Sequence, residues 1–186
     1  MSKRLTAGEI APDFQATDQL GNMMSLSNFH GRWLLLSFYR YASCPLCNLR
    51  VHELSKLHAE LQAYGLDMLA VFQSPAEKID TYVGNQHPPF PLIPDPQQIL
   101  YKRYGVIHSW AGFLIAWIKR LPTISHAVFR QRYLPGTVEG GIHRIPADFL
   151  IRPDGHIAEA YYGRDIGDHM PIDRIRQHLH ASIAHN

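Results

Sequence analysis

Cysteine is scarce in this chain, with 2 among 186 residues. That excludes a disulfide-stapled scaffold, which needs several bridges to replace a hydrophobic core. Long apolar runs are absent too. The longest, Trp110–Ile118, has nine residues, whereas a helix crossing a bilayer needs about 20, so no membrane association is expected. Neither sign of charge dominates. Eighteen Lys and Arg face sixteen Asp and Glu, for a net +2, and the basic residues never run beyond two in a row. No pull toward nucleic acid follows from such a balance. Lys3 and Arg4 precede no apolar stretch, so a secretory signal is not expected and the expected compartment is the reducing cytoplasm. Repeats and low-complexity segments are also missing.

What is present suits a soluble globular protein. The apolar fraction of 46% is ample for a core, and the length fits one domain spanning 1–186. Phe14–Thr17 and Met23–Ser25 read as short strands around Gly21 and Asn22, an N-terminal hairpin. Trp33–Tyr39 is a continuous apolar run, the signature of a strand buried on both faces. Pro45 sits where a first-turn proline opens a helix. Leu46, Leu49, Leu54, Leu57 and Leu61 then share one face up to Gly65. Leu66–Phe72 is a second buried strand and Pro75–Val83 a second helix. Phe90–Val106 reads as strand, turn and helix. Ile145–Ile151 and Ile157–Tyr162 flank Pro153-Asp154-Gly155, a hairpin signal, and Ile172–Ile183 is a closing helix. This order predicts an α/β fold with a central mixed sheet flanked by helices.

One stretch lies outside that order. About thirty-five residues around 108–142 are not needed by the basic pattern, and Trp110, Phe113, Leu114, Trp117, Ile118 and Leu121 within them fall at helical spacing. Lys119 and Arg120 suit the end of that helix, and Pro122 stops it. The readings are an inserted helix buried on its own domain, or a homodimer contact or lid over an apolar substrate.

The chemistry sits in Cys44-Pro45-Leu46-Cys47, between the buried strand and the amphipathic helix. A cysteine at a helix N-terminus faces unpaired N–H groups and the positive end of the helix dipole, and both stabilise the thiolate. Cys44 is therefore the expected nucleophile. Cys47, one turn on, is placed to close a disulfide with it. Arg40 and Arg144 are the candidate cations for the thiolate, against the plainer reading of solvated strand-end residues. Tyr39 and Tyr41 are read as packing residues, and Trp33 as core or subunit contact. Twelve histidines invite a metal reading, but a closed zinc site wants four ligands and there is no second cysteine pair. His52 is the one histidine close to the cysteines in sequence, and His178, His180 and His185 are expected on a solvated helix face and tail. No metal or cofactor is expected.

The stretch Gly8–Cys47, the segment FPLIPDPQQILYKRYGV and the hairpin IPADFLIRPDGHIAEAYYG together resemble the peroxiredoxin-like (AhpC/TSA, redoxin) proteins of the thioredoxin superfamily. The resemblance spans most of the chain outside the 108–142 insertion. It implies a thioredoxin-like fold with an N-terminal extension, and Cys44 at the position of the peroxidatic cysteine. It further implies that Pro146 opens its strand through a cis peptide bond beside the cysteines, with backbone groups free to pair with substrate. Two positions depart from the family pattern. Ser37 stands where a proline is usual, and Tyr41 where a threonine or serine orients the peroxide. Arg144 is the candidate for the family's second active-site arginine.

These readings converge on a thiol-dependent antioxidant oxidoreductase. With a peroxide, Cys44 would become a sulfenic acid and Cys47 would condense with it. With a protein disulfide, Cys44 would form a mixed disulfide that Cys47 breaks. Thioredoxin or a glutathione-type system would reduce the product in either case. A copper-binding protein of the Sco type is a minor alternative, with His143 as third ligand, although those proteins space their cysteines C-x-x-x-C.

Overall fold

The computed structural model describes residues 3–106 and 144–183. The predicted helix of the 108–142 insertion, together with His143 and His185, lies outside the described residues. The apolar run in the first third of the chain forms β3 (Trp33–Phe38), buried at every position, as a central strand must be. Parallel β4 (Leu66–Phe72) lies on one side of it and antiparallel β6 (Ala147–Ile151) on the other. The outer strands are β5 (Leu92–Pro94), parallel to β4, and β7 (Ile157–Tyr162), antiparallel to β6. The order β5-β4-β3-β6-β7 is the expected mixed sheet. Ahead of it, β1 (Gln15–Thr17) and β2 (Met23–Ser25) make the predicted hairpin.

The helices are α1 (Pro45–Ala63), α2 (Ala76–Tyr82), α3 (Ile99–Arg103) and α4 (Ile172–Ile183). Two apolar layers result, one on each face of the sheet. One joins Leu35, Tyr39, Met68 and Phe72 to Val51, Leu54 and Leu61 of α1 and to Ile175 and Leu179 of α4. The other joins Leu34, Leu36, Phe38 and Phe149 to Phe14, Leu100, Tyr101 and Tyr104. Its aromatic rings meet edge to face: Phe38 lies 5.1 Å from Tyr101 and 5.8 Å from Phe149 between centroids.

Several details explain why the ends of the strands are held firmly. The Tyr101 hydroxyl donates to the carbonyls of Tyr39 (2.9 Å) and Val71 (3.0 Å), pinning the C-terminal ends of β3 and β4 together. Asp95 accepts from the N–H groups of Ile99 and Leu100, satisfying donors that the short α3 leaves unpaired. Gly105 follows α3 at φ +65, where a Cβ would stand 2.5 Å from the Lys3 carbonyl oxygen, so only glycine fits. Residues 8–11 bond to Gly155 and Ile157 and cover the start of the edge strand β7.

One expectation is corrected here. The Ile145–Pro146 bond is trans, and no cis peptide occurs among the described residues. Nor is the Pro146 carbonyl free for a substrate. It accepts from Gly163 N–H at 3.0 Å, extending the β6–β7 ladder one step beyond the Ala147–Tyr162 pair.

Candidate active site

The chain leaves β3 at Phe38, turns through Tyr39–Ser43 and enters α1 with Cys44 as N-cap. Pro45 takes the first helical position, where the missing N–H costs nothing and the ring presets the helical φ. Cys44 is extended at φ −68, ψ 118. Nineteen residues of aligned peptide dipoles begin immediately after it. Both cysteines are free thiols and both are buried.

The Arg40 guanidinium lies above Cys44, with Nη1 donating to Sγ at 3.4 Å. The same guanidinium lies over the Tyr41 ring at 4.9 Å, a cation–π contact that helps hold it beside Cys44. Burial opposes a charged Cys44. It is outweighed by the Cys47 thiol, which hydrogen-bonds to Cys44, by the Arg40 charge, and by the backbone N–H groups of Cys47 and Leu46. The Cys44 thiol is consequently lowered from 9.0 to about 6. Cys47 moves the other way. Its burial, and then the neighbouring Cys44 sulfur, push it well above 9.0. Burial and then the Cys44 charge likewise push the Tyr41 phenol up to about 12, so Tyr41 keeps its proton. The site thus pairs one acidic thiol with one that holds its proton.

Arg144 is placed differently from Arg40. It is buried, and its guanidinium donates to the Val106 carbonyl at 2.7 Å and to Gln98 and Gln73. It also stacks on Tyr101 at 4.5 Å. None of these hydrogen bonds reaches either cysteine. Gln73 links the two arginines indirectly, since its N–H donates to the Arg40 carbonyl at 3.2 Å. Tyr39 packs as expected, stacked on Phe72 at 4.8 Å. Leu46 lines a cleft of about 280 Å³ with Arg50, His169, Met170 and Ile172, between α1 and the segment before α4.

Sequence reasoning missed two groups of residues here. Asp148 is fully buried in β6. It accepts from Met170 N–H at 2.6 Å and pairs with His169 Nδ1 at 3.1 Å. Arg50 of α1 donates to the Met170 carbonyl at 2.7 Å and pairs with Glu53. Burial works against the Asp148 charge, but His169, Arg50 and the Met170 N–H together hold its carboxyl below 3.8. The second group is Asn48 with Gln86, joined at 2.7 Å. An aspartate in an otherwise apolar strand was the one available signal for the first. Among the described residues, no three of His, Cys, Asp and Glu gather to hold a metal ion, and no helix is long and apolar enough to cross a membrane.

Residues 7–160 match the AhpC/TSA family. The chain belongs to the AhpC/TSA family. It is 29% identical over 168 residues to the peroxiredoxin Bcp of Escherichia coli K12, covering 90% of this chain and 92% of that protein. Its fold superposes on the Mycobacterium tuberculosis peroxidoxin BcpB with a TM-score of 0.68, at 18% identity over 96% of this chain and 98% of the other. For the C47S mutant of Xylella fastidiosa PrxQ the TM-score is 0.67, at 18% identity over 100% and 99%. As an AhpC/TSA protein of thioredoxin-like fold, the chain is a thiol-dependent oxidoreductase. At Tyr41, where the family usually has threonine or serine, the phenol ring lies against the Arg40 guanidinium that donates to Cys44.

Proposed function

We propose that this protein reduces peroxides through Cys44, with Cys47 resolving the product to an intramolecular disulfide. The supporting observation is the Arg40 Nη1 contact on Cys44 Sγ, 3.4 Å long, at the N-terminus of α1. A guanidinium there stabilises the attacking thiolate, and can also stabilise negative charge developing on the peroxide oxygens. Cys44 is 1% exposed, which favours a substrate as small as a peroxide over the disulfide of a folded protein.

In the first step the Cys44 thiolate attacks one peroxide oxygen and the O–O bond breaks. The leaving oxygen takes a proton to become an alcohol or water, and Cys44 becomes a sulfenic acid. In the second step the Cys47 sulfur attacks Cys44, the S–OH bond breaks, and water departs with the Cys47 proton. One thioredoxin-type dithiol, or two molecules of a glutathione-type monothiol, then supplies two electrons and two protons, ends as a disulfide and restores both thiols.

The test is peroxide consumption by the reduced protein, beside reduction of insulin disulfides on the same preparation. Peroxide turnover that depends on Cys44 supports the proposal. Insulin reduction without peroxide turnover replaces it with a disulfide oxidoreductase. The rate is also expected to fall as the pH drops through about 6, where Cys44 gains its proton. Arg40→Met removes the positive charge at the sulfur, so the midpoint of that pH profile moves up. For a displacement of about one pH unit the rate near pH 6 falls about fivefold, and well below pH 6 about tenfold. A pH–rate profile identical to the parent's would show that Arg40 does not act on the thiolate.

A further inference from the structure

The turn that carries Cys44 has no repetitive structure of its own, yet it is buried throughout. Its backbone polar groups therefore need partners from elsewhere. One flank is tied to the end of β4: Arg40 C=O accepts from Gln73 N–H at 3.2 Å, and Ala42 N–H donates to Ser74 Oγ at 2.9 Å. The other flank is engaged by a side chain of α1. Asn48, 2% exposed in the first turns of α1, donates through Nδ2 to the carbonyls of Ala42 (2.7 Å) and Cys44 (3.0 Å). Its Oδ1 accepts from Gln86 Nε2 at 2.7 Å, which fixes the orientation of the amide from the far side.

An asparagine inside a helix carries a propensity cost. Burying its amide adds a desolvation cost that only complete hydrogen bonding offsets. Here both ends of the amide are engaged, and its donor meets carbonyls on both sides of Ser43. That geometry governs where Cys44 can point. We propose that Asn48 is a positioning residue for the Cys44 reaction, locking the 42–44 turn so that Sγ stays under Arg40 and at the N-terminal N–H groups of α1. The inference rests on Cys44 being the nucleophile. Without Asn48, the buried Ala42 carbonyl loses this donor and the turn rotates to find another. A displacement of about 1 Å at Sγ suffices to uncouple it from both stabilising groups.

The test uses the full chain with Asn48→Leu, which keeps the volume and removes the donors, and Gln86→Ala, which removes the tether on the amide. Each reduced protein is titrated by the ultraviolet absorbance of its thiolate, and kcat and KM are measured separately. For Asn48→Leu the Cys44 midpoint is expected to rise by about one pH unit. Its kcat is expected to fall on the order of tenfold with KM little changed. Gln86→Ala is expected to give a smaller rise. Leu61→Ala, at the far end of α1 and equally buried, should lower Tm without moving the midpoint, which separates positioning from mere stability. An unmoved midpoint in a folded Asn48→Leu protein overturns the proposal. If that variant does not fold, an unmoved midpoint in Gln86→Ala overturns it instead. Because the titration needs no peroxide, it is decided independently of whether peroxide is the substrate.

Discussion

Replacing Cys44 with serine is expected to lower peroxide turnover by a factor on the order of a thousand or more, as loss of a nucleophile does. Serine retains the size and the helix-capping geometry. Its hydroxyl, however, stays protonated where the thiol, lowered to about 6, is a thiolate. Arg40 would then face a neutral group, and no sulfenic acid could form. Cys47→Ser is expected to behave differently. Its first turnover should proceed at near the parent rate and then stop, leaving a sulfenic acid on Cys44 that a dimedone-type trap detects by mass spectrometry. The contrast between a variant with no turnover and one with a single turnover assigns the two roles. Full activity in Cys44→Ser would remove the proposed chemistry altogether. Repeated cycling in Cys47→Ser would move the resolving function to the reductant.

The second large effect lies in the buried ionic cluster beside the motif. Asp148→Ala is expected to destabilise the fold by about 3–5 kcal/mol, the usual cost of removing one partner from a buried charged pair. His169 Nδ1, 3.1 Å from the carboxylate, and the Met170 N–H would both lose their acceptor inside the protein. Arg50 would lose a nearby negative charge. Asp148→Asn keeps the shape and one acceptor, so a smaller loss is expected. Urea unfolding at neutral pH measures both, and a loss within experimental error for Asp148→Ala would show that the cluster contributes nothing net. The pH dependence follows from the direction of the shift. A carboxyl held below its unfolded value of 3.8 contributes stability that is fully present well above that value. The contribution is lost as the pH falls through the lower folded value. The parent should therefore lose stability in acid below about pH 4 more steeply than Asp148→Asn.

The placement of this cluster bears on function as well as stability. Asp148 stands opposite Ser37 in the sheet register, one pair before the β3–β6 pairing ends at Phe38 and Ala147, with Tyr39 next along the chain. Its partners His169 and Met170 press the segment before α4 against Arg50, one turn past Cys47 in α1. The Tyr39 ring, 4.9 Å from His169, closes the space between them. The helix that carries both sulfurs is thus braced from below by charge and from above by the Asn48 amide.

By itself the chain determined the elements and pointed to the cysteine pair. Trp33–Phe38 and Leu66–Phe72 are apolar at nearly every position and of strand length, as suits a strand covered on both faces. Pro45 and the leucines after it announce a helix, and the Pro153-Asp154-Gly155 turn a hairpin, because those signals are local and need no distant partner. Placing Cys44 between strand and helix was likewise a local inference, and its proposed role as nucleophile rests on that position. What only the tertiary structure decided is which polar residues meet. Arg40 and Arg144 looked equivalent as candidate cations. The fold turns Arg40 onto the sulfur and sends Arg144 to Gln73, Gln98 and the Val106 carbonyl. The trans bond before Pro146, and the engagement of its carbonyl by Gly163, depend on how β6 and β7 pair. Asn48 with Gln86, and Asp148 with His169, are separated by 38 and 21 residues. No pattern in the chain marks such pairs, because a hydrogen bond between distant residues exists only once burial has made leaving it unformed costly.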